Sequence, residues 1–214
     1  MAPFATLAAD PAARLDGLAL ALAAELRPVD AGAALARLDE LAAEVRELAP
    51  ATGGELAALR AVIAVRHGFA GATEEYDHPD HSMLDLVLER GRGLPIALSV
   101  VYVETARRAG IALAGVGLSG HYVVGQFRDG AAPVLLDPFG GGARIVAPDP
   151  AEVRPWAAHE TALRMLNNLV GSYTRRNDLG RAIRAAEMRL ELSLEPALRE
   201  ALATELRGLR ARLN

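Results

Sequence analysis

The chain contains no cysteine, and that one absence removes several chemistries at once. Disulfides, thiolate zinc sites and cysteine nucleophiles are all excluded. Aromatic residues are scarce at 4%, so Ala, Leu and Val must fill the core, which suits thin helices packed closely. Net charge is −4 and no basic block occurs, so the electrostatic footprint of a nucleic-acid surface is missing. The apolar stretch "LDGLALALAAEL" is too short and too interrupted to span a bilayer. The opening residues carry Asp10 and Asp16 without a basic n-region, so a secretory signal is not expected. These readings predict a cytoplasmic protein that engages neither nucleic acid nor membrane.

What is present is ample apolar material: 51% of 214 residues, enough for a real core in one or two domains. Residues 11–70 read as helical. Leu15, Leu18, Leu22 and Leu26 share one broad face, and Leu35, Leu38, Leu41, Val45 and Leu48 repeat the spacing with charges between. A third helix follows the break at Pro50–Gly54 and stops near Gly68. Ser82 and Asp85 have capping-box spacing for a short helix ending before Gly91. Pro95 then sits well for the first turn of another helix, which runs to about Arg108. Its run "IALSVVYV" is apolar nearly all round, so this helix is buried.

After Gly110 the pattern becomes strand-like. "IALAGVGL", "HYVVGQF" and "PVLLDPF" are short apolar runs separated by glycine, by Arg128–Asp129–Gly130 and by Pro138. A buried helix followed by an antiparallel meander predicts an α+β core. From Val153 onward helices return. Leu169, Tyr173, Ala182 and Ala186, around a turn at Asn177–Asp178, fit one tetratricopeptide-type helical hairpin, with Val170 and Arg189 departing from its usual residues and Pro196 closing late.

Two polar residues stand out among the strands: His121 opens one and Asp137 closes the next. A histidine that accepts a proton, and a carboxylate that fixes its tautomer, are two parts of a nucleophilic triad. In papain-like and transglutaminase-like sites, which this arrangement resembles, the third sits at the N-terminus of a buried helix, where the dipole favours an anion. Pro95 and Ile96 hold that place, and neither can attack a carbonyl. Two hairpin registers are open. A two-residue turn at Asp129–Gly130 pairs Tyr122 with Asp137, whereas a three-residue loop with left-handed Gly130 pairs His121 with Asp137 on one face.

The linked segments "HSMLDLVLERGRGLPIALSVVYVETARRAGI", "GVGLSGHYVVGQF", "LLDPFGGG" and "LRMLNNLVGSYTRRNDLGRAI" resemble the bacterial SirB-type family over roughly residues 10–195. The resemblance implies a transglutaminase-like (papain-like) core, with a helical N-terminal layer, over 1–150. It implies a tetratricopeptide-like helical appendage over 151–214. His121 and Asp137 then occupy the superfamily's histidine and aspartate places, while its cysteine's place holds no cysteine.

The expected function is a catalytically degenerate transglutaminase- or protease-like protein that binds a peptide or protein partner in the former substrate cleft. That cleft is expected to be lined by Pro95, Ile96, Ser99 and Tyr102 beside His121 and Asp137. The alternative is an active hydrolase or amidase in which His121–Asp137 activates water or Ser99; a third is a scaffold acting through the C-terminal helices. Each residue also has a plainer use. The His–Asp pair can simply hold two strands, Ser99 can bond back to its helix, and Tyr102 can pack in the core. Ser119 reads as a turn residue. "DHPDH" (Asp77–His81) lies on a loop without metal-ligand spacing, so neither metal nor cofactor is expected.

Overall fold

The computed structural model describes residues 1–147 and 149–213. At the N-terminus lie α1 (Phe4–Ala8), α2 (Leu15–Ala24) and α3 (Ala31–Leu48). Helix α2 buries Leu15 and every residue from Leu18 to Ala23, as a helix with no polar stripe must. Helix α3 is amphipathic: Ala34, Leu38, Leu41 and Val45 turn inward at three- and four-residue steps. Its N-cap Asp30 accepts the Ala33 N–H at 2.9 Å, satisfying one of the unpaired amides of the first turn.

The third helix, α4 (Glu55–Arg60), continues through a wide π turn over Ala61–Arg66. There the His67 N–H reaches the Val62 carbonyl at 3.0 Å. The widening keeps Val62 and Ile63 inside, leaves Val65 outside, and sets His67 against Glu44 at 2.7 Å. A two-residue strand β1 (Ala70–Gly71) pairs in parallel with β2 (Arg92–Gly93), and α5 (Leu84–Arg90) lies between them in sequence. The expected capping box of α5 is not formed. Ser82 is drawn into a preceding 3₁₀ turn and Met83 is the uncapped N-cap, while the Asp85 carboxylate is taken by Arg27.

Helix α6 (Pro95–Arg108) is the axis of the molecule, with all residues from Pro95 to Tyr102 buried. Helices α2, α3 and α5 pack around it, as does the second strand of an antiparallel meander. That sheet runs β3 (Ala114–Leu118), β4 (His121–Gln126), β5 (Val134–Asp137), β6 (Ala143–Ile145) in spatial order. The α+β class stands. Strand β6, three residues long, directly following a glycine run and largely exposed, has too little pattern to be read in advance.

Helices α7 (Ala158–Arg175) and α8 (Leu179–Glu191) form the expected hairpin around Asn177–Asp178, and α9 (Pro196–Ala211) adds a third helix. Helicity starts at Ala158 rather than Val153, because Pro155 interrupts it and the Trp156 N–H goes to the Gly115 carbonyl at 2.9 Å. Leu169, Tyr173, Ala182 and Ala186 are buried. One continuous core reaches from Phe4 through α6 to Leu209, and a small second cluster around Val116, Val123 and Leu135 covers the sheet elsewhere.

The far end of α6 is tied down electrostatically. Arg108 meets the carboxylates of Asp16, Glu104 and Asp39, the last two at 2.8 Å. Asp16 and Glu104 are buried, so without a cation they would be stranded charges. Arg107 shares both but is more exposed. Replacing Arg108 with Ala is expected to lower unfolding free energy by about 3 kcal/mol. Urea denaturation should show that loss, against almost none for Arg207→Ala at the surface.

Candidate functional site

The N-terminus of α6 forms one side of a cleft of about 220 Å³, and Pro95 and Ile96 both line it. A proline at the first helical position loses nothing, because its missing N–H would have no partner in the helix. Leu94 precedes it in an extended conformation without a side-chain cap. The chemistry of this end therefore rests on an imino ring and an aliphatic side chain, neither of which has a nucleophilic atom.

His121 opens β4 after the Ser119–Gly120 turn and also faces the cleft. Its Nε2 lies 3.0 Å from Asp137 Oδ1. A carboxylate only accepts, so Nε2 carries a hydrogen in this contact, and in the neutral ring Nδ1 is then the acceptor. Among the described residues Nδ1 has no hydrogen-bond partner. Neither expected hairpin register occurs. Val124 pairs with Leu136 and Gln126 with Val134, so the connection spans residues 127–133. Pro133 has no N–H for the ladder, which delays pairing until Val134. The register differs by two residues from the His121–Asp137 pairing, and an even offset keeps both on one face.

Asp137 is held from several sides. Its Oδ1 also accepts the Phe139 N–H at 3.0 Å, and its carbonyl accepts the Gly142 N–H at 2.7 Å. The Phe139 carbonyl accepts from Gly71 at 3.1 Å. A Cβ at Gly71 would lie 2.4 Å from the Phe139 ring, so only glycine lets β1 approach this closely. Phe139 in turn stands edge-on to His121 at 6.4 Å and to Tyr76 at 5.9 Å.

Ser99 and Tyr102 do not line the cleft. Both are fully buried in α6, and neither Ser99 Oγ nor the Tyr102 hydroxyl has a hydrogen-bond partner. Ser99 therefore makes no contact with His121 that would activate it. Burial drives the Tyr102 phenol well above its usual pKa, with Arg60 opposing and Asp137 adding to the shift. Depth along the helix explains the discrepancy: Ser99 and Tyr102 lie four and seven residues past Pro95, about one and two turns below the end that reaches the cleft.

The opposite wall comes from α7. Arg164, Asn167, Asn168, Gly171, Ser172 and Arg175 line it, at steps of three and one that mark a single helix face. Sequence reasoning read this helix through its apolar positions alone, and the polar stripe between them carried no motif of its own. Tyr76 and Asp77 close one end. Ser172 donates to the Asp77 carbonyl, and Arg175 Nε donates to its carboxylate at 2.9 Å. Arg175 holds that carboxyl below its usual pKa, with Arg176 adding to the effect. The expected loop at "DHPDH" is partly a 3₁₀ turn, Pro79–Ser82, which His78 caps through Nδ1 at 3.3 Å from the Asp80 N–H. Among the described residues no group of three His, Asp or Glu side chains is placed to hold a metal, and no helix is long and apolar enough to cross a membrane.

The family described as the transglutaminase-like superfamily matches residues 32–184. A UPF0162 protein of Xylella fastidiosa strain 9a5c is 36% identical over 157 residues, which cover 64% of this chain and 56% of the relative. A UPF0162 protein of Pseudomonas aeruginosa is 36% identical over 153 residues, 69% of this chain and 54% of its own. The chain thus spans about half the length of the curated relatives it matches. No solved structure matches it.

The His121–Asp137 geometry makes a direct prediction. Asp137→Ala removes a charge-assisted hydrogen bond and the Phe139 N–H acceptor together. The loss of unfolding free energy should be about 2 kcal/mol, and ¹⁵N NMR of the His121 ring should lose the signature of a single Nε2–H tautomer. An unchanged tautomer would show that Asp137 does not orient the ring.

Proposed function

The chain belongs to the transglutaminase-like superfamily, and on that premise we propose that it is a catalytically degenerate member that binds a peptide or protein partner in the cleft beside His121. One observation carries this reading. The His121–Asp137 pair is assembled at 3.0 Å on a cleft whose helix start holds Pro95 and Ile96. Acyl transfer in a fold of this kind needs a nucleophile that the histidine can deprotonate. A proline ring and an isoleucine side chain offer no such atom, whereas an open cleft still offers a surface on which an extended chain can lie. In this reading Pro95 and Ile96 form the apolar floor, and the His121 Nδ1 is an acceptor for a partner's N–H or O–H.

A second reading is favoured by the unpartnered Nδ1: a hydrolase in which His121 activates water and Asp137 orients it. Ser99, buried and away from the cleft, has no part in that mechanism. The SirB-type assignment, the tetratricopeptide character of α7–α8 and a cytoplasmic location belong to the same proposal. Buried Leu169, Tyr173, Ala182 and Ala186 support the hairpin's part of it.

The test is to profile the purified protein against ester, amide and peptide libraries with His121→Ala as control. The expected result is equal background turnover by both proteins, together with peptide binding that the wild type retains without cleavage. Turnover by the wild type that disappears in His121→Ala would replace this proposal with the hydrolase reading.

A further inference from the structure

The aspartate, histidine and arginine side chains lining the cleft are Asp77, His121, Arg164 and Arg175. Asp77 is already matched by Arg175 and, at 3.6 Å, by Arg176. Arg164 differs: its Nη2 donates to two main-chain carbonyls, Leu118 at 3.2 Å and His121 at 2.9 Å, and among the described residues it meets no carboxylate. It is half-buried, where an unmatched charge costs more than at the surface.

Its orientation is fixed as well. The guanidinium carbon lies 5.4 Å from the Tyr122 ring centre and 5.6 Å from that of Trp156. Both rings are themselves pinned. The Tyr122 hydroxyl lies 2.7 Å from Thr161 Oγ1, which donates to the Ala157 carbonyl and so accepts from the tyrosine. Trp156 packs directly against Gly117, where a Cβ would be 2.2 Å from the ring. A cation stacked on rings and tethered to carbonyls presents its remaining N–H groups in set directions. Among the described residues those on Nε and Nη1 have no protein partner.

One helical turn along α7, Asn167 also has a defined orientation. Its Oδ1 accepts from Arg189 Nη1 at 3.0 Å, and Arg189 is buried and can only donate. The amide therefore offers the Nδ2 hydrogens, from an exposed position on the cleft wall. An arginine and an amide donor three residues apart on one helix face are neighbours.

The geometry points to a carboxylate as the group by which a peptide partner is recognised, received by Arg164 and Asn167. This rests on the reading that the cleft takes a peptide. The pairing favours a monoanion: Arg175 is matched by Asp77, whereas Arg164 brings one positive charge that meets no carboxylate among the described residues. A phosphate monoester, at about −1.5 to −2, would exceed it. The carboxylate can come from a chain terminus or from a Glu or Asp side chain, and both present the same two oxygens to the guanidinium fork.

The test uses short N-acetylated peptides of Ala, Leu and Ser, each made as free acid and as carboxamide, and each with internal Glu or Gln. Binding to the full chain is measured by NMR titration and fluorescence polarisation. The expected result is roughly tenfold tighter binding of the acid form in one arm, and that arm identifies the source. The preference should fall to near parity in Arg164→Gln and in Asn167→Asp. The second variant is exposed and can still accept from Arg189, so it decides the matter if Arg164→Gln fails to fold. Asn168→Trp fills the cleft and reports whether binding occurs there. Binding that Asn168→Trp abolishes, but that treats acid and amide alike, overturns the carboxylate and leaves the peptide reading intact. Binding indifferent to Asn168→Trp, or none by any peptide, overturns both.

Discussion

Burial of α6 on every side is the constraint from which the rest follows. A helix with so little polar surface is stable only where neighbours enclose it. Here α2, α3 and α5 cover much of it and β4 packs along the remainder. Its C-terminal end is the one place where charge enters, and there Arg108 joins buried Asp16 and Glu104. With one end clamped by ion pairs and the body locked by packing, the other end at Pro95 is held at a defined position. The cleft lies against that end, between it and the polar face of α7.

What borders that opening comes from distant parts of the chain. His121 reaches it from the start of a strand, Tyr76 and Asp77 from a loop, and the α7 stripe from beyond residue 160. Helix α7 also packs on α2. The wall that carries Arg164 and Asn167 is therefore seated on the N-terminal layer as well as beside the cleft. Arginine suits these joints because its planar fork can serve carbonyls, carboxylates and ring faces at once.

Much of this was legible in the residues. The apolar runs and the glycine punctuation are enough to read the α+β class, the buried helix opening at Pro95 and the strands around His121 and Asp137. Hydrophobic periodicity reports burial directly, and α6 and α2 have little else. The failures have separate physical causes. The hairpin register depended on Pro133, whose missing N–H outweighed the turn preference of Asp129–Gly130. The Ser82–Asp85 capping box gave way to a tertiary ion pair with Arg27, which spacing within one helix cannot reveal. Ser99 and Tyr102 follow Pro95 along one helix face, which predicts a place in the cleft, although a helix buried all round shows the cleft only its first turn. The α7 wall was missed because a polar stripe facing a cavity has the same period as one facing water.

The contact between Gly71 and Phe139 bears on how such a site is inherited. Phe139 follows Asp137 in one turn, and the turn is fastened to a strand that does no chemistry. The aspartate's position is thus set by backbone bonds and ring packing that serve folding whether or not a substrate is ever turned over. A lineage that gave up the nucleophile would feel no structural pressure to give up the histidine's partner along with it. The geometry of the histidine–aspartate pair is thus set by how the hairpin folds, and it does not by itself report that bonds are broken there.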